Sequence, residues 1–272
     1  MRNGRASTVA LLCSTVALLV LASSALAGPH FYFAQLTDTH FGGHNHAQRT
    51  RQAVNSINQL PMEIAFVAHT GDIPSEKLSN TGVVASVTAT LDGLEAPIHY
   101  VPGNHDLLCD AYDTLAQVYT NHFGDLISQQ EYHGVLCLFV YTEPLAVNFS
   151  VPNYEPLVEL EARLKAADGK PAIIFHHTPS VEDFYNNEMH EGWQQAIRDQ
   201  WISLLNAYNV KGVIAGHFHR DEHHWLGDVP LYVSSSIACY WGRQATYRIY
   251  EYKDGKLGYR TQYLPWNTNI LN

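Results

Sequence analysis

The 272-residue chain is short of charge. Only 15 % of its residues are Asp, Glu, Lys or Arg, against roughly 25 % in an average soluble domain. Basic residues are the scarcer kind, 16 Lys+Arg against 26 Asp+Glu, for a net charge of −10. That balance excludes nucleic-acid binding through a basic face, because neutralising phosphates takes Lys and Arg. Four cysteines are too few for a disulfide scaffold. No linker rich in Pro, Gly or Ser, no charge run and no internal repeat divides the chain. What is present is an apolar content of 46 % with 11 % aromatics, which excludes disorder and supports a packed core. There are also 16 histidines, a clear excess.

The one long apolar run, residues 9–21, follows Arg2 and Arg5 and precedes Ala25-Leu26-Ala27. A positive start, a short apolar stretch and small residues at its end read as a secretory signal peptide over residues 1–27, cleaved after Ala27. The run is shorter than the ~20 residues that span a bilayer, so no membrane association is expected after cleavage. The expected product is secreted or periplasmic, a single domain over residues 28–272. In an oxidising compartment one pair among Cys109, Cys137 and Cys239 can bridge; Cys109 with Cys137 is the pairing preferred.

The mature region reads as strands alternating with helices. Strands are expected at 31–36, 64–69, 98–101, 135–141, 172–175, 210–215, 231–234, 245–252 and 258–264, the last two joined at an Asp254-Gly255 turn. Helices are expected at 46–60, 81–94, 113–123 and 156–167. Ala53, Val54, Ile57 and Leu60 mark the buried face of the first, and Trp193, Ile197, Trp201 and Leu204 mark a further helix. The economical fold is one α/β domain with a β-hairpin at its C-terminal end.

Chemistry collects where these strands stop. The first strand runs into Asp38-Thr39-His40, the second into Gly71-Asp72 and the third into Gly103-Asn104-His105-Asp106. Two later strands run into His176-His177 and Gly216-His217-Phe218-His219. In α/β sheets ligands bind beyond the carboxyl ends of strands, and the glycines before Asp72, Asn104 and His217 are expected to let the backbone turn sharply there. Each fragment alone is an ordinary turn; five in order, each after an apolar strand, are not. Imidazole, carboxylate and amide without thiolate suit two divalent cations of Mn, Fe or Zn type rather than a structural thiolate zinc site. Such a pair with a bridging carboxylate can hold a bridging hydroxide for in-line attack on phosphorus.

These five blocks, spanning 35–219, resemble those of the calcineurin-like metallophosphoesterase superfamily. The resemblance implies a four-layer α/β/β/α sandwich of two facing mixed sheets. It implies Asp38, His40 and His219 as ligands of one metal, Asp72 as bridging carboxylate, and Asn104, His176 and His217 as ligands of the second. His105 matches the family's non-ligand histidine, which contacts the phosphoryl group and can protonate the leaving oxygen. Asp106 is expected to orient the loop. The family often has His-His-Pro where this chain has His176-His177-Thr178-Pro179. Matching the histidines without a gap selects His176, with His177 in support; matching on the proline selects His177. The first alignment is preferred.

Other histidines are expected to serve structure: His69 and His99 as satisfied buried residues, His223 and His224 on a polar loop at the rim, and His44 and His46 on a loop, with substrate contact the alternative for these last two. Tyr185, Tyr240 and Trp241 are candidates to wall a pocket, with packing or exposure the plainer alternative. Ile73-Pro74-Ser75 after Asp72 lacks the tyrosine by which purple acid phosphatases bind iron. Compact size and Gly216-His217-Phe218-His219-Arg220-Asp221 resemble the class III cyclic-nucleotide phosphodiesterases. The expected activity is hydrolysis of a small phosphodiester or phosphomonoester, whether cyclic nucleotide, nucleotide or glycerophospho-type. The competing expectation is a secreted metal-binding or partner-binding module that keeps the fold without turnover.

Overall fold

The computed structural model describes residues 28–75, 78–107, 111–183 and 192–265. The signal segment, Cys109 and Tyr185 lie outside these. Among the described residues, eleven strands form two mixed sheets. The first is ordered β11(Lys256–Tyr263), β10(Thr246–Lys253), β1(His30–Leu36), β2(Ile64–Thr70), β3(Ile98–Val101). The second is ordered β4(Ile127–Tyr132), β5(Val135–Val140), β6(Ala172–Phe175), β7(Val210–Ala215), β9(Val229–Val233), β8(Glu222–Leu226). β1–β2–β3 run parallel, as do β5–β6–β7–β9, and antiparallel β10, β11, β4 and β8 complete the sheets.

The strand sequences explain why the sheets face each other. Side chains alternate across a strand, and one parity is aromatic: Phe31 and Phe33 on β1, Phe66 on β2, Phe139 on β5 and Phe175 on β6 are buried in one cluster. Phe66 stacks on Phe33 at 4.8 Å and meets Phe175 of the other sheet edge-on at 5.9 Å. Each such ring contributes about 1.5–3 kcal/mol by leaving water. The opposite parity, including Leu36, Val67, Leu138 and Ile174, packs with the helices, giving the four layers α/β/β/α.

The helices are α1(His46–Asn58), α2(Thr81–Leu91), α3(Tyr112–His122), α4(Glu143–Ala146), α5(Pro156–Ala166) and α6(Gln195–Ala207). α1 buries Thr50, Ala53, Val54 and Ile57 along one face. α2 starts where the Asn80 side chain accepts the N–H groups of Gly82 and Val83. It stops at Leu91, earlier than its pattern predicts. α6 also differs: Trp193 precedes the helix, whose fully buried residues are Trp201 and Leu205. No helix among the described residues is long and apolar enough to cross a membrane.

Two strands are additional to those expected. β4 (ISQQEY) and β8 (EHHWL) are polar edge strands, and an edge strand with little buried face carries little hydrophobic pattern. His223 and His224 therefore lie on an edge strand, not a loop. Cys137 is a free thiol buried between the sheets on β5, which corrects its expected pairing with Cys109. Cys239 is free as well.

Candidate metal centre

The strands carry the site residues to one end of the inter-sheet layer. The β1–β2 ladder continues past its strands: the N–H groups of Asp38 and His40 donate to Gly71 O (3.0 Å) and Asp72 O (2.9 Å). Beyond β6 and β7, Gly216 N–H donates to His177 O at 3.0 Å. The two sheets are tied across this end where Gln35 Nε2 donates to Ala215 O (2.9 Å) and His217 N–H donates to Asp38 Oδ2 (3.0 Å). Asp38, His40, Asp72, His217 and His219 all have left-handed backbone, with φ between 42° and 66°. Asp, Asn and His reach that region more readily than most residues, and strained backbone of this kind collects at functional sites.

The side chains form two groups that share Asp72. In the first, donor atoms of Asp38, His40, Asp72 and His219 all lie within 4.8 Å of one another; in the second, those of Asp72, His177 and His217 do so. Asp72 Oδ2 is 3.5 Å from His40 Nε2 and 3.2 Å from His177 Nε2, so one oxygen faces both groups. Asp38 Oδ1 is 3.2 Å from His219 Nε2, and the Nε2 atoms of His40 and His219 are 3.3 Å apart. Asn104 Oδ1 joins the second group, 3.1 Å from His177 Nε2. His105 sits beside both: its N–H donates to Asp72 Oδ1 at 2.9 Å and its ring meets that of His40 at 5.0 Å.

This donor set fits two cations. His177 Nδ1 donates to Thr70 O at 2.7 Å, leaving Nε2 toward two oxygens. Such an arrangement needs positive charge between the atoms, a proton or a metal ion. The same holds where two imidazole nitrogens and two carboxylates crowd together in the first group. Burial pushes the Asp38 carboxyl up to about 7 and the His40 imidazole down to about 4. Burial also opposes charge on Asp72, but the adjacent His177 outweighs it and holds that carboxyl well below its usual range. A neutral imidazole and a carboxylate lacking compensating charge are what a divalent cation binds.

The structure corrects the choice between the adjacent histidines. Phe175 points into the inter-sheet core and Ile174 toward the helices. Alternation then sends His177 to the inter-sheet side, where the site is, and His176 to the helix side. His176 packs against Trp193 (5.7 Å) and Trp201 (5.5 Å), with Nδ1 3.2 Å from Thr142 Oγ1. His176 is therefore a buried packing residue, held neutral by burial with its pKa down at about 3.

The glycines act differently from expectation at two of three positions. Gly71 has a φ of +96°, a turn that needs glycine. Gly103 and Gly216 have no such φ; they permit close approach instead. A Cβ on Gly103 would meet Asp72 Oδ1 at 2.3 Å, and one on Gly216 would meet Thr37 Oγ1 at 1.9 Å.

Several positioning residues escaped sequence reasoning. Thr37 Oγ1 donates to Asp38 Oδ2 at 2.6 Å. Glu143 at the start of α4 accepts both N–H (3.1 Å) and Oγ1–H (2.7 Å) of Thr178, fixing the residue after His177. His46 is buried, and its Nδ1 lies 2.7 Å from His40 O, whereas His44 is exposed. His69 Nε2 meets Thr39 Oγ1 at 3.0 Å, and His99 Nε2 meets Tyr132 OH at 2.7 Å. Asp106 does orient its loop, accepting the N–H groups of Asp72, Ile73 and Gly103 at 2.8–2.9 Å. Tyr240 packs against His40 and His219, each at 5.2 Å. The contacts of Glu143, His69 and His99, and that of Tyr240 with His40, join residues 30 or more apart in the chain, and no local spacing signals them.

The chain is similar to known proteins on the same grounds. The family model for calcineurin-like phosphoesterases matches residues 31–221. A serine/threonine-protein phosphatase CPPED1 of Danio rerio is 28 % identical over 79 % of this chain and 78 % of its own length. A probable cyclic nucleotide phosphodiesterase of Rhodopseudomonas palustris is 26 % identical over 76 % of this chain and 78 % of its own. The crystal structure of a dimetal phosphatase from Danio rerio superposes with a TM-score of 0.60 at 15 % identity, covering 87 % of this chain and all of that one. Blocks, fold and donor groups agree: the chain belongs to the calcineurin-like phosphoesterases, metal-dependent phosphoric ester hydrolases.

Proposed function

We propose that this protein hydrolyses small phosphomonoesters or phosphodiesters and that it acts outside the cytoplasm. The observation that carries the reading is the shared carboxylate, with Asp72 Oδ2 facing His40 at 3.5 Å and His177 at 3.2 Å. Asp38, His40 and His219 would hold one cation, Asn104, His177 and His217 the other, and Asp72 both. Two cations there would supply Lewis-acid charge and a water of lowered pKa, the chemistry that phosphoester hydrolysis needs. A chain of net charge −10 repels phosphate, so a local positive field has to come from such ions.

The chain's own residues do the rest. Asp106 and Glu143 fix the loops that carry Asp72 and His177. His105, beside His40, would contact the phosphoryl group and give a proton to the leaving oxygen. A module that only bound metal would have no use for that imidazole. The phosphatase and phosphodiesterase relatives support both ester classes. Arg2, Arg5, the apolar run 9–21 and Ala25-Leu26-Ala27 support export.

The test is an assay of the mature protein with Mn²⁺, Zn²⁺ or Fe²⁺ on mono- and bis-p-nitrophenyl phosphate. Hydrolysis lost on chelation and in Asp72→Ala is expected. Hydrolysis indifferent to both would sink the reading.

A further inference from the structure

Trp241 is 59 % exposed, yet it is not an ordinary surface tryptophan. Its ring meets that of His219 edge-on at 5.2 Å and lies 5.6 Å from Tyr240, which itself packs on His40 and His219. The indole therefore begins where the metal centre ends. Trp225, exposed to a similar degree at 65 %, lies instead on the edge strand β8 beside His223.

The segment that carries Trp241 is held in an unfavourable shape. Cys239 and Trp241 both have left-handed backbone, at φ 63° and 53°, a region costly for residues bearing bulky side chains. Its fixing points are the loops of the metal centre. Ile237 and Ala238 N–H groups donate to Thr37 O (3.2 Å) and Asp38 O (3.0 Å), and Arg49 donates to Ala238 O at 2.7 Å. On the other side Arg243 donates to His219 O at 2.8 Å, and its guanidinium stands over the indole at 5.5 Å. A rigid planar apolar surface is thus kept at the rim of the site, braced on one face by a cation.

We propose that Trp241 is a stacking surface for a planar aromatic ring carried by the leaving group, making the site selective for aryl or nucleobase esters over alkyl and sugar esters. Stacking of a base on an aromatic side chain is sequence-tolerant and strong enough to be read in binding. The proposal rests on the phosphoesterase reading above and narrows its substrate class.

The test compares matched pairs on the metal-loaded protein: AMP against ribose 5-phosphate, which share a ribose 5′-oxygen as leaving atom and differ in the base, and phenyl phosphate against ethyl phosphate. Kd by titration calorimetry and KM by phosphate release are measured for the wild type, Trp241→Ala, Trp241→Phe and Trp241→Leu. Trp241→Ala is expected to raise the AMP value about fivefold relative to ribose 5-phosphate. Phe should restore most of this ratio and the equally apolar but non-planar Leu should not. A shift confined to the phenyl pair would identify a directly attached aryl group as the ring recognised; a shift in the AMP pair would identify the nucleobase. Ratios that do not move in either pair, or that Leu restores as well as Phe, would overturn the proposal. Absent turnover with the Kd ratios behaving as stated would overturn the hydrolase reading and leave the stacking surface standing.

Discussion

The adjacent histidines offer the sharpest single comparison, because the structure gives His176 and His177 opposite duties. His176→Ala removes a buried ring packed against both Trp193 and Trp201, with its 3.2 Å contact to Thr142. A cavity of that kind together with a lost hydrogen bond costs about 3 kcal/mol. For a domain of this size that lowers the melting temperature by roughly 6–12 °C. Its metal stoichiometry should not change. His177→Ala removes the nitrogen that faces Asp72 Oδ2 at 3.2 Å and Asn104 Oδ1 at 3.1 Å. The second group loses a donor, and affinity there should fall by about a hundredfold or more, since even the partners that merely orient a ligand are worth ten- to hundredfold. A bound metal stabilises by about 2.7 kcal/mol at a hundred times its Kd, so the rise in melting temperature on adding Mn²⁺ should shrink in this variant. Equilibrium dialysis against Mn²⁺ with metal analysis, and melting curves with and without chelator, read both effects. A His176→Ala protein that loses one cation while His177→Ala keeps two would refute the strand-alternation argument.

Two further predictions concern packing and acid. Gly216→Ala would place a Cβ 1.9 Å from Thr37 Oγ1 and 2.7 Å from Asp38 Oδ2, so a stability loss of about 1–3 kcal/mol and weakened metal binding are expected. Gly258→Ala, with nothing within 4 Å, should stay within about 0.5 kcal/mol of the wild type in urea unfolding; equal losses would count against the close-approach account. Burial holds His69 and His176 down to about 3 each, so both are neutral in the fold and take up protons on unfolding below about 6.5. Stability should therefore fall as pH drops from 6.5 toward 3, by about 1.4 kcal/mol per pH unit for each proton. Urea midpoints measured in chelator from pH 7 to pH 5 should show a slope shallower by one proton in His176→Phe; an unchanged slope would mean that His176 protonates in the folded chain.

Much of the site was legible in the chain because its residues follow strands directly. Asp38, Asp72, Asn104, His105 and His217 stand within a few residues of an apolar run, and parallel strands deliver their carboxyl ends together. The choice between His176 and His177 needed the parity of β6, in which Ile173 and Phe175 face the other sheet. That signal was available in the aromatic residues shared by the facing strands, whereas the family pattern could be aligned either way and the preferred, ungapped match selected His176. β4 and β8 left no such trace, since each buries only its terminal Ile127 or Leu226 and so carries no alternating apolar face. The roles of Glu143 and Thr37, and the contacts of Tyr240, which the sequence offered only as a pocket-wall candidate, were hidden for another reason. Glu143 acts on Thr178 and Tyr240 on His40 and His219, all far away in the chain, and tertiary pairing of that kind has no period; Thr37 bonds its neighbour Asp38, and a single adjacent pair forms no pattern.

The central claim is a pair of cations sharing Asp72. The most direct test is the number of Mn²⁺ ions retained per chain after equilibrium dialysis, for the wild type and for Asp72→Asn, with phosphoester hydrolysis followed on the same samples. The account predicts two ions in the wild type, at most one in the variant, and hydrolysis lost with the second ion. One ion or none in the wild type, or two in Asp72→Asn with activity intact, would contradict it.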